Sequence, residues 1–330
     1  MTTPITGARV LLADLDGVVY RGRQAIPGAV DALERVRASG VRVGYLTNNA
    51  SRTATAVAAQ LAGFGLTAAA EDVVTSPQAA VRVLIDLVPA GASVLVVGGD
   101  GLSSVVVDAG FRLAAGADDA DAVVQGFHPS VAWTDLAEAS YAVQRGKPWV
   151  ATNQDWTIPQ ERGIAPGNGT LVSAVHTAAA ALPVVAGKPE TPIFEVARER
   201  FGGGNTLVVG DRLDTDILGA SRAGLPAALV LTGIDNAPQL LAAPKDQRPT
   251  WILSHLGELF EDYPDTHNEG PLYGVRDSVV RLEGTTLEIL QPGDPVDVLR
   301  AACDAVWDSP VAVFALTVPE QLHAPVGGHA

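Results

Sequence analysis

The stretch LLADLDGVVY, residues 11–20, ends an apolar run with two aspartates, Asp14 and Asp16, and places Gly17 directly behind them. Residues 9–15 alternate little and are rich in Val and Leu, the pattern of a strand buried on both faces of a parallel sheet. Charge beside such a segment is costly unless something balances it. The fold and the chemistry both turn on what balances these carboxylates, and on why they stand one residue apart.

Working outward, Pro27 suits a helix start, Ala29, Leu33 and Val36 are spaced helically, and Gly40 suits the stop. VRVGYLTNN (41–49) reads as a second buried strand, and Ser51 as the N-cap of a helix running to about Phe64. Strand, helix, strand, helix predicts a doubly wound parallel sheet of the Rossmann-like kind. SPQAAVRVLIDLV (76–88) and TDLAEASYAVQRG (134–146) are expected helices; SVLVVGGDG (93–101), DAVVQGF (121–127) and PWVATN (148–153) are expected strands. TLVVGDRLDTDILGASRAGL (206–225) returns to a buried strand, a loop and a helix, and PAALVLTG (226–233) is another strand. From about Asp265 the chain reads as a loop, DTHNEGPLYG, then two short strands around EGTT (283–286), a helix from Pro295 to about Trp307 and a strand VAVFAL (311–316). The expected fold is therefore α/β: a doubly wound core over 1–77 and 184–264, a large inserted α/β unit over 78–183, and a small α+β appendage over 265–330.

Length and composition bound the function. The chain has 330 residues, 47% of them apolar, enough for two domains or one domain with a large insertion. No segment reads as a signal peptide, and AVHTAAAALPVVAG (174–187) is too short for a membrane span and contains Pro183. The single cysteine, Cys303, excludes an intramolecular disulfide and a cysteine-based zinc site; the cytoplasm is the simplest compartment. A net charge of −15 argues against nucleic-acid binding, and an anionic substrate would need a local cation.

The groups able to do chemistry each end a predicted strand, where a doubly wound sheet binds its ligands. Asp14 and Asp16 end the first; Thr47, with Asn48 and Asn49, ends the second; Asp211, with Asp214 and Asp216 behind it, follows TLVVG; Lys188 lies between a strand-like run and a helix. Clustered carboxylates repel one another unless a hard cation lies between them, and all-oxygen ligands suit magnesium. A carboxylate can also attack phosphorus, with magnesium and lysine neutralising the transferring group. Taken singly, a DxD at a strand end also reads as a solvated turn, GDxxDxD as a calcium loop or helix N-terminus, Asn48-Asn49 as a turn and Lys188 as a surface lysine. Their joint order carries the case.

DLDGVVY, LTNN, GKP and GDRLDTDI, in that order, resemble the four motifs of the haloacid dehalogenase superfamily, in its NagD-like and nitrophenylphosphatase-like branch; the likeness covers about residues 9–262. The resemblance implies that Asp14 is the nucleophile and Asp16 the general acid/base, and that Thr47, Asn48 and Lys188 bind phosphate. It further implies that Asp14, Asp211 and the main-chain carbonyl of Asp16 hold Mg2+, with Asp216 in an outer position. About 140 residues separate Thr47 from Lys188, which fits the cap this branch inserts there. A cap excludes water and selects the leaving group. Asn153, Gln154, Asp155 and Trp156 are its candidates for substrate contact, or else shape a turn; His128 is either a contact or a surface histidine. The resemblance also implies a homodimer through the cap, unless the added tail blocks or replaces that surface.

The segment 265–330 lies outside the usual pattern of that branch. With the Ala/Val/Gly-rich composition, it resembles a subgroup carrying such an extension, which implies glycerol 3-phosphate or a similarly small polyol phosphate as substrate. The extension resembles part of an acetyltransferase fold but has no Gly-rich acyl-CoA loop, so acetyl transfer is not expected. The alternatives are a pyridoxal phosphate or nucleotide phosphatase, a receiver-type phosphoacceptor domain and a phosphosugar-binding regulator. Asp16 and the long insertion count against the second, and the intact acid and lysine set against the third.

Overall fold

A computed structural model describes residues 2–160 and 162–323. It divides into two compact units, Met1–Val43 with Gly203–Ala330, and Gly44–Gly202.

The first unit opens with β1 (Val10–Asp14), buried up to Ala13. A small antiparallel hairpin follows, β2 (Tyr20–Arg21) and β3 (Gln24–Ala25), then α1 (Ala29–Ala38). β4 (Arg42–Thr47) begins here, its Arg42 N–H bonded to the Arg9 carbonyl, and carries the chain into the second unit.

There α2 (Ala54–Gly63), β5 (Val73–Thr75) and α3 (Ser76–Leu87) follow, with β4 and β5 parallel and Thr47 opposite Thr75. Thr53 is the N-cap of α2, not Ser51 as expected: the Ser51 hydroxyl and N–H both turn back onto Asn49 Oδ1, and Thr53 Oγ1 accepts the Ala56 N–H. Next come β6 (Ser93–Val97), α4 (Asp100–Asp108), β7 (Arg112–Leu113), β8 (Ala122–Gln125), α5 (Trp133–Gln144) and β9 (Trp149–Ala151). A hairpin of β10 (Thr157–Gln160) and β11 (Gly163–Pro166) precedes α6 (Asn168–Ala179), β12 (Val184–Val185) and α7 (Pro192–Phe201). The sheet β12-β9-β8-β6-β7 is parallel throughout. Val123, Trp149 and Ala151 on its face pack with Ala139 and Val143 of α5 and Val172 and Val175 of α6.

Back in the first unit, β13 (Thr206–Gly210) pairs parallel with β1, setting Ala13 beside Val209. A one-turn π-helix (Leu213–Ile217) and α8 (Leu218–Arg222) lead to β14 (Ala227–Val230), α9 (Ala237–Leu241) and β15 (Trp251–Leu253), each strand parallel to the one before. This βα alternation is the expected doubly wound pattern.

The end of the chain forms the antiparallel sheet β16 (Thr266–Glu269), β17 (Leu272–Val275), β18 (Ser278–Glu283) and β19 (Thr286–Gln291), followed by α10 (Pro295–Asp308). Two expectations are corrected here. DTHNEGPLYG is not a loop but the β16–β17 hairpin, turning at Gly270 (φ 65°). VAVFAL is not a strand: Val313–Ala315 is a 3-10 turn, and the segment meets β19 at a single bridge, Thr286 to Thr317. Tyr263, just before the appendage, and Arg300 within it close the edge of β15: Ile252 donates its N–H to the Tyr263 hydroxyl, and its carbonyl accepts from Arg300 of α10. An uncovered strand edge invites pairing with other chains. No helix among the described residues is long and apolar enough to cross a membrane.

Candidate active site

In the first unit, β1 and β13 deliver acids to one place because they are parallel neighbours in register. Asp14 ends β1 and Asp211 follows β13 immediately. The π-helical turn brings Asp216 back onto them: its Oδ2 accepts the N–H groups of Asp211 (3.3 Å) and Arg212 (3.2 Å). Asp14, Asp211 and Asp216 each offer an oxygen within 4.8 Å of the others. Asp14 is half-buried; Asp211 and Asp216 are buried. Asp214 instead turns outward into a two-point pair with Arg212, and Asp16 is exposed beyond the buried Leu15. Gly17 is required twice. Its φ is +84°, and a Cβ there would lie 2.2 Å from Asp211 Oδ2.

Three ionised carboxylates this close repel by about 3 kcal/mol per pair at an effective dielectric of ~20. The donor set is all oxygen and includes two buried carboxylates, which fits a hard divalent cation of the magnesium type.

Around it, burial pushes the carboxyl of Asp235 up from its ordinary range, against the opposing pull of the Leu213 N–H it accepts.

In the second unit, Thr47 and Lys188 are both buried. Thr47 Oγ1 accepts the Asn49 N–H at 3.1 Å. Asn48 is engaged at every polar position of its side chain. Its Oδ1 accepts the Lys188 N–H (2.8 Å), and its Nδ2 donates to the Lys188 carbonyl (3.0 Å) and to Asp155 Oδ1 (3.1 Å). The Asn48 carbonyl in turn accepts from Asn153 Nδ2 and Ser76 Oγ, both at 2.7 Å. Asn153, 3% exposed, also accepts the Asp155 N–H, and its own carbonyl accepts from Asn168 Nδ2.

The side chain of Asn48 thus faces the Lys188 peptide and Asp155, and that of Asn153 faces the Asn48 carbonyl and the Asp155 N–H. Their work is to hold the loop after β4, the loop after β9 and the lysine in register. Gln154 and Trp156 are exposed, and His128 is half-buried with its Nδ1 against Ser130 Oγ at 2.6 Å.

The sequence reading missed Ser76, a helix-start residue with no motif signal. It also missed the segment Leu231–Asp235, whose glycine just past a buried strand was the available sign.

A family described as haloacid dehalogenase-like hydrolase matches residues 11–112, and a second hydrolase model of that kind matches 185–259. A GCN5-related N-acetyltransferase like domain matches 274–321. The D-glycerol 3-phosphate phosphatase of Mycobacterium tuberculosis is 42% identical over 92% of this chain and 86% of its own length. A 5'-nucleotidase of Bacillus subtilis is 34% identical over 75% of this chain and 95% of its own length. The crystal structure of glycerol phosphate phosphatase from Mycobacterium tuberculosis in complex with magnesium superposes with a TM-score of 0.86 at 41% identity, covering 94% of each chain. Asp14 and Asp211 fall inside the two hydrolase-matched stretches, and a relative of this identity runs through nearly the whole length. The chain belongs to the haloacid dehalogenase-like hydrolases.

Proposed function

We propose that this protein is a magnesium-dependent phosphatase that hydrolyses a small phosphate monoester, glycerol 3-phosphate first among them, through an aspartyl phosphate. The observation that carries the reading is the meeting of the Asp14, Asp211 and Asp216 oxygens at the carboxyl ends of β1 and β13. A like-charged set of this kind calls for a cation, and a cation calls for an anionic substrate. Magnesium, held by Asp14, Asp211 and the Asp16 carbonyl with Asp216 beside them, would neutralise charge on the phosphoryl oxygens.

Asp14 attacks phosphorus with one carboxylate oxygen, and the bond from phosphorus to the glycerol oxygen breaks. Asp16 gives its proton to that leaving oxygen; its exposed carboxyl is suited to exchanging protons. Asp16 then takes a proton from water, whose oxygen attacks phosphorus and frees the Asp14 carboxylate and phosphate. Thr47, whose oxygen already accepts from Asn49, has its hydroxyl hydrogen to donate to a phosphoryl oxygen. Lys188 supplies a fixed positive charge, its peptide held by Asn48.

Glycerol 3-phosphate is favoured because the relative spanning most of this chain is named for that activity. Asn153, Gln154 and Asp155 carry the proposal for the glycerol hydroxyls, and Asn48 joins Thr47 and Lys188 in the proposal for the phosphate. The reading takes 1–77 with 184–264 as the catalytic core, 78–183 as the cap and 265–330 as the extension. It places the enzyme in the cytoplasm as a homodimer through the cap.

The test is phosphate release from glycerol 3-phosphate, pyridoxal phosphate and a nucleoside monophosphate, each with magnesium and with chelator. Glycerol 3-phosphate is expected to have the highest kcat/KM, with activity lost in chelator. A preference above ~100-fold for either aromatic substrate, about 2.7 kcal/mol, overturns the substrate. Full turnover in chelator overturns the metal role.

A further inference from the structure

Beyond the carboxyl end of β14, the segment Leu231-Thr232-Gly233-Ile234-Asp235 supplies none of the four family motifs, yet it is bonded to three points around the acidic set. The Ile234 N–H donates to Asp211 Oδ2 at 2.8 Å, and the Asp235 N–H donates to the Asp211 carbonyl at 3.1 Å. The Thr232 hydroxyl, in a buried residue, donates to the Gly17 carbonyl at 2.7 Å. Asp235 Oδ2 accepts the N–H of Leu213 at 2.6 Å, at the first residue of the π-turn that carries Asp216. Arg21 of β2 donates to the Thr232 carbonyl and ties the far side of the segment. A Cβ on Gly233 would lie 1.9 Å from Asp211 Oδ2, so only glycine lets the backbone come this close to the carboxylate.

The physical consequence lies in direction. A carboxylate has one plane, and fixing one oxygen by a backbone N–H fixes where the other points. Gly17 directly follows Asp16 and its backbone lies against Asp211 Oδ2, so a bond to its carbonyl holds the backbone beside both. Leu213 opens the turn that holds Asp216. Removing groups that orient ligating carboxylates from behind typically costs 10–100-fold in metal affinity or activity.

We propose that the 231–235 segment is the positioning frame of the cation site, with Thr232 and Asp235 as positioning residues that touch neither metal nor substrate. Thr232 acts through Gly17 on Asp16 and Asp211, and Asp235 acts through Leu213 on Asp216. The proposal rests on the reading of Asp14, Asp211 and Asp216 as a magnesium site.

The experiment is calorimetric titration of the full-length protein with Mg2+ in the absence of phosphate ester, together with kcat and KM at saturating magnesium. Thr232→Val keeps the shape of the side chain and removes the donor; Thr232→Ser restores it. The expected result is that Thr232→Val weakens Mg2+ binding about tenfold and lowers kcat with little change in KM, while Thr232→Ser stays within about twofold of wild type. Asp235→Ala is expected to weaken Mg2+ binding similarly, and Asp235→Asn, which keeps an acceptor for Leu213, to weaken it less. If Thr232→Val fails to fold, the Asp235 pair decides alone. Unchanged Mg2+ affinity in both Thr232→Val and Asp235→Ala overturns the proposal and leaves the site reading intact. Absence of Mg2+ binding in the wild-type protein overturns both.

Discussion

The unit formed by Met1–Val43 and Gly203–Ala330 holds two clusters of charge built on opposite rules. At the carboxyl ends of β1 and β13, Asp14, Asp211 and Asp216 are all of one sign. Under α10, Arg300 pairs with Asp297 (2.7 Å) and Glu258 (2.6 Å), while Arg276 reaches the other oxygen of Asp297 at 3.0 Å. Arg300 also lies over the Tyr263 ring at 4.7 Å and bonds the Ile252 carbonyl. The second cluster is balanced by its own members and joins the appendage to the edge of β15. The first brings three acids of one sign together. The contrast separates charge kept for architecture from charge suited to a ligand: acids of one sign repel one another, and an added cation relieves that repulsion.

Substitutions at the two clusters should therefore have opposite signatures. Asp211→Asn should lower turnover by at least about a thousandfold while leaving the metal-free protein as stable as wild type or more so, because it removes like-charge repulsion. Parallel phosphate-release and thermal-melting measurements check this; a large loss of stability would move Asp211 into the architectural class. Arg300→Ala should do the reverse. It leaves Asp297, 2% exposed, without its buried partner and should cost about 3–5 kcal/mol of unfolding free energy, with kcat near wild type in the fraction that remains folded. Denaturant titration reads the stability directly.

A smaller effect tests the polar hub of the second unit. Asp155→Ala removes the acceptor for Asn48 Nδ2, whereas Asp155→Asn keeps one. The alanine variant should lose about 1–2 kcal/mol of stability and the asparagine variant less. Equal losses would show that the charge of Asp155, not its hydrogen bond, matters.

Smallest of all is a pH effect in the appendage. Burial pushes the Asp304 carboxyl above its ordinary value, with the Thr266 hydroxyl it accepts pulling the other way. Because the folded-state value is raised, this group favours folding below the ordinary carboxylate range and loses that contribution as pH rises through the raised value. Asp304→Asn should therefore raise the unfolding free energy slightly at neutral pH, by under about 1 kcal/mol, seen as a small rise in melting temperature that vanishes in acid. A gain that persists unchanged in acid would contradict the assignment.

What the sequence made legible follows from the same physics. β1 and β13 could be read because strands buried on both faces are continuous apolar runs, and the acids stood out by interrupting them. The β16–β17 hairpin could not: of its residues only Val275 is buried, so its polar pattern resembles a loop. VAVFAL misled in the other direction. Its apolar composition reads as a buried strand, yet Phe314 is 91% exposed. Asn48 and Asn153 were legible as site residues but not as each other's partners, because their bonds join segments about 100 residues apart. The acetyltransferase-like match over 274–321 also gains a physical reading. The first turn of α10 is capped by its own Asp294, bonded to the Val296 N–H, and carries Asp297, which makes it a poor seat for a pyrophosphate.

The account stands on Asp14 as the group that takes the phosphoryl. Asp16→Asn removes the proton donor and acceptor but leaves the nucleophile, and 4-nitrophenyl phosphate has a leaving group that departs without a proton. Rapid acid quench of Asp16→Asn with phosphorus-labelled 4-nitrophenyl phosphate and magnesium, followed by peptide mapping, should place close to one equivalent of label on the peptide carrying Asp14. Release of 4-nitrophenol with no label on the protein, or label on a peptide without Asp14, would contradict it.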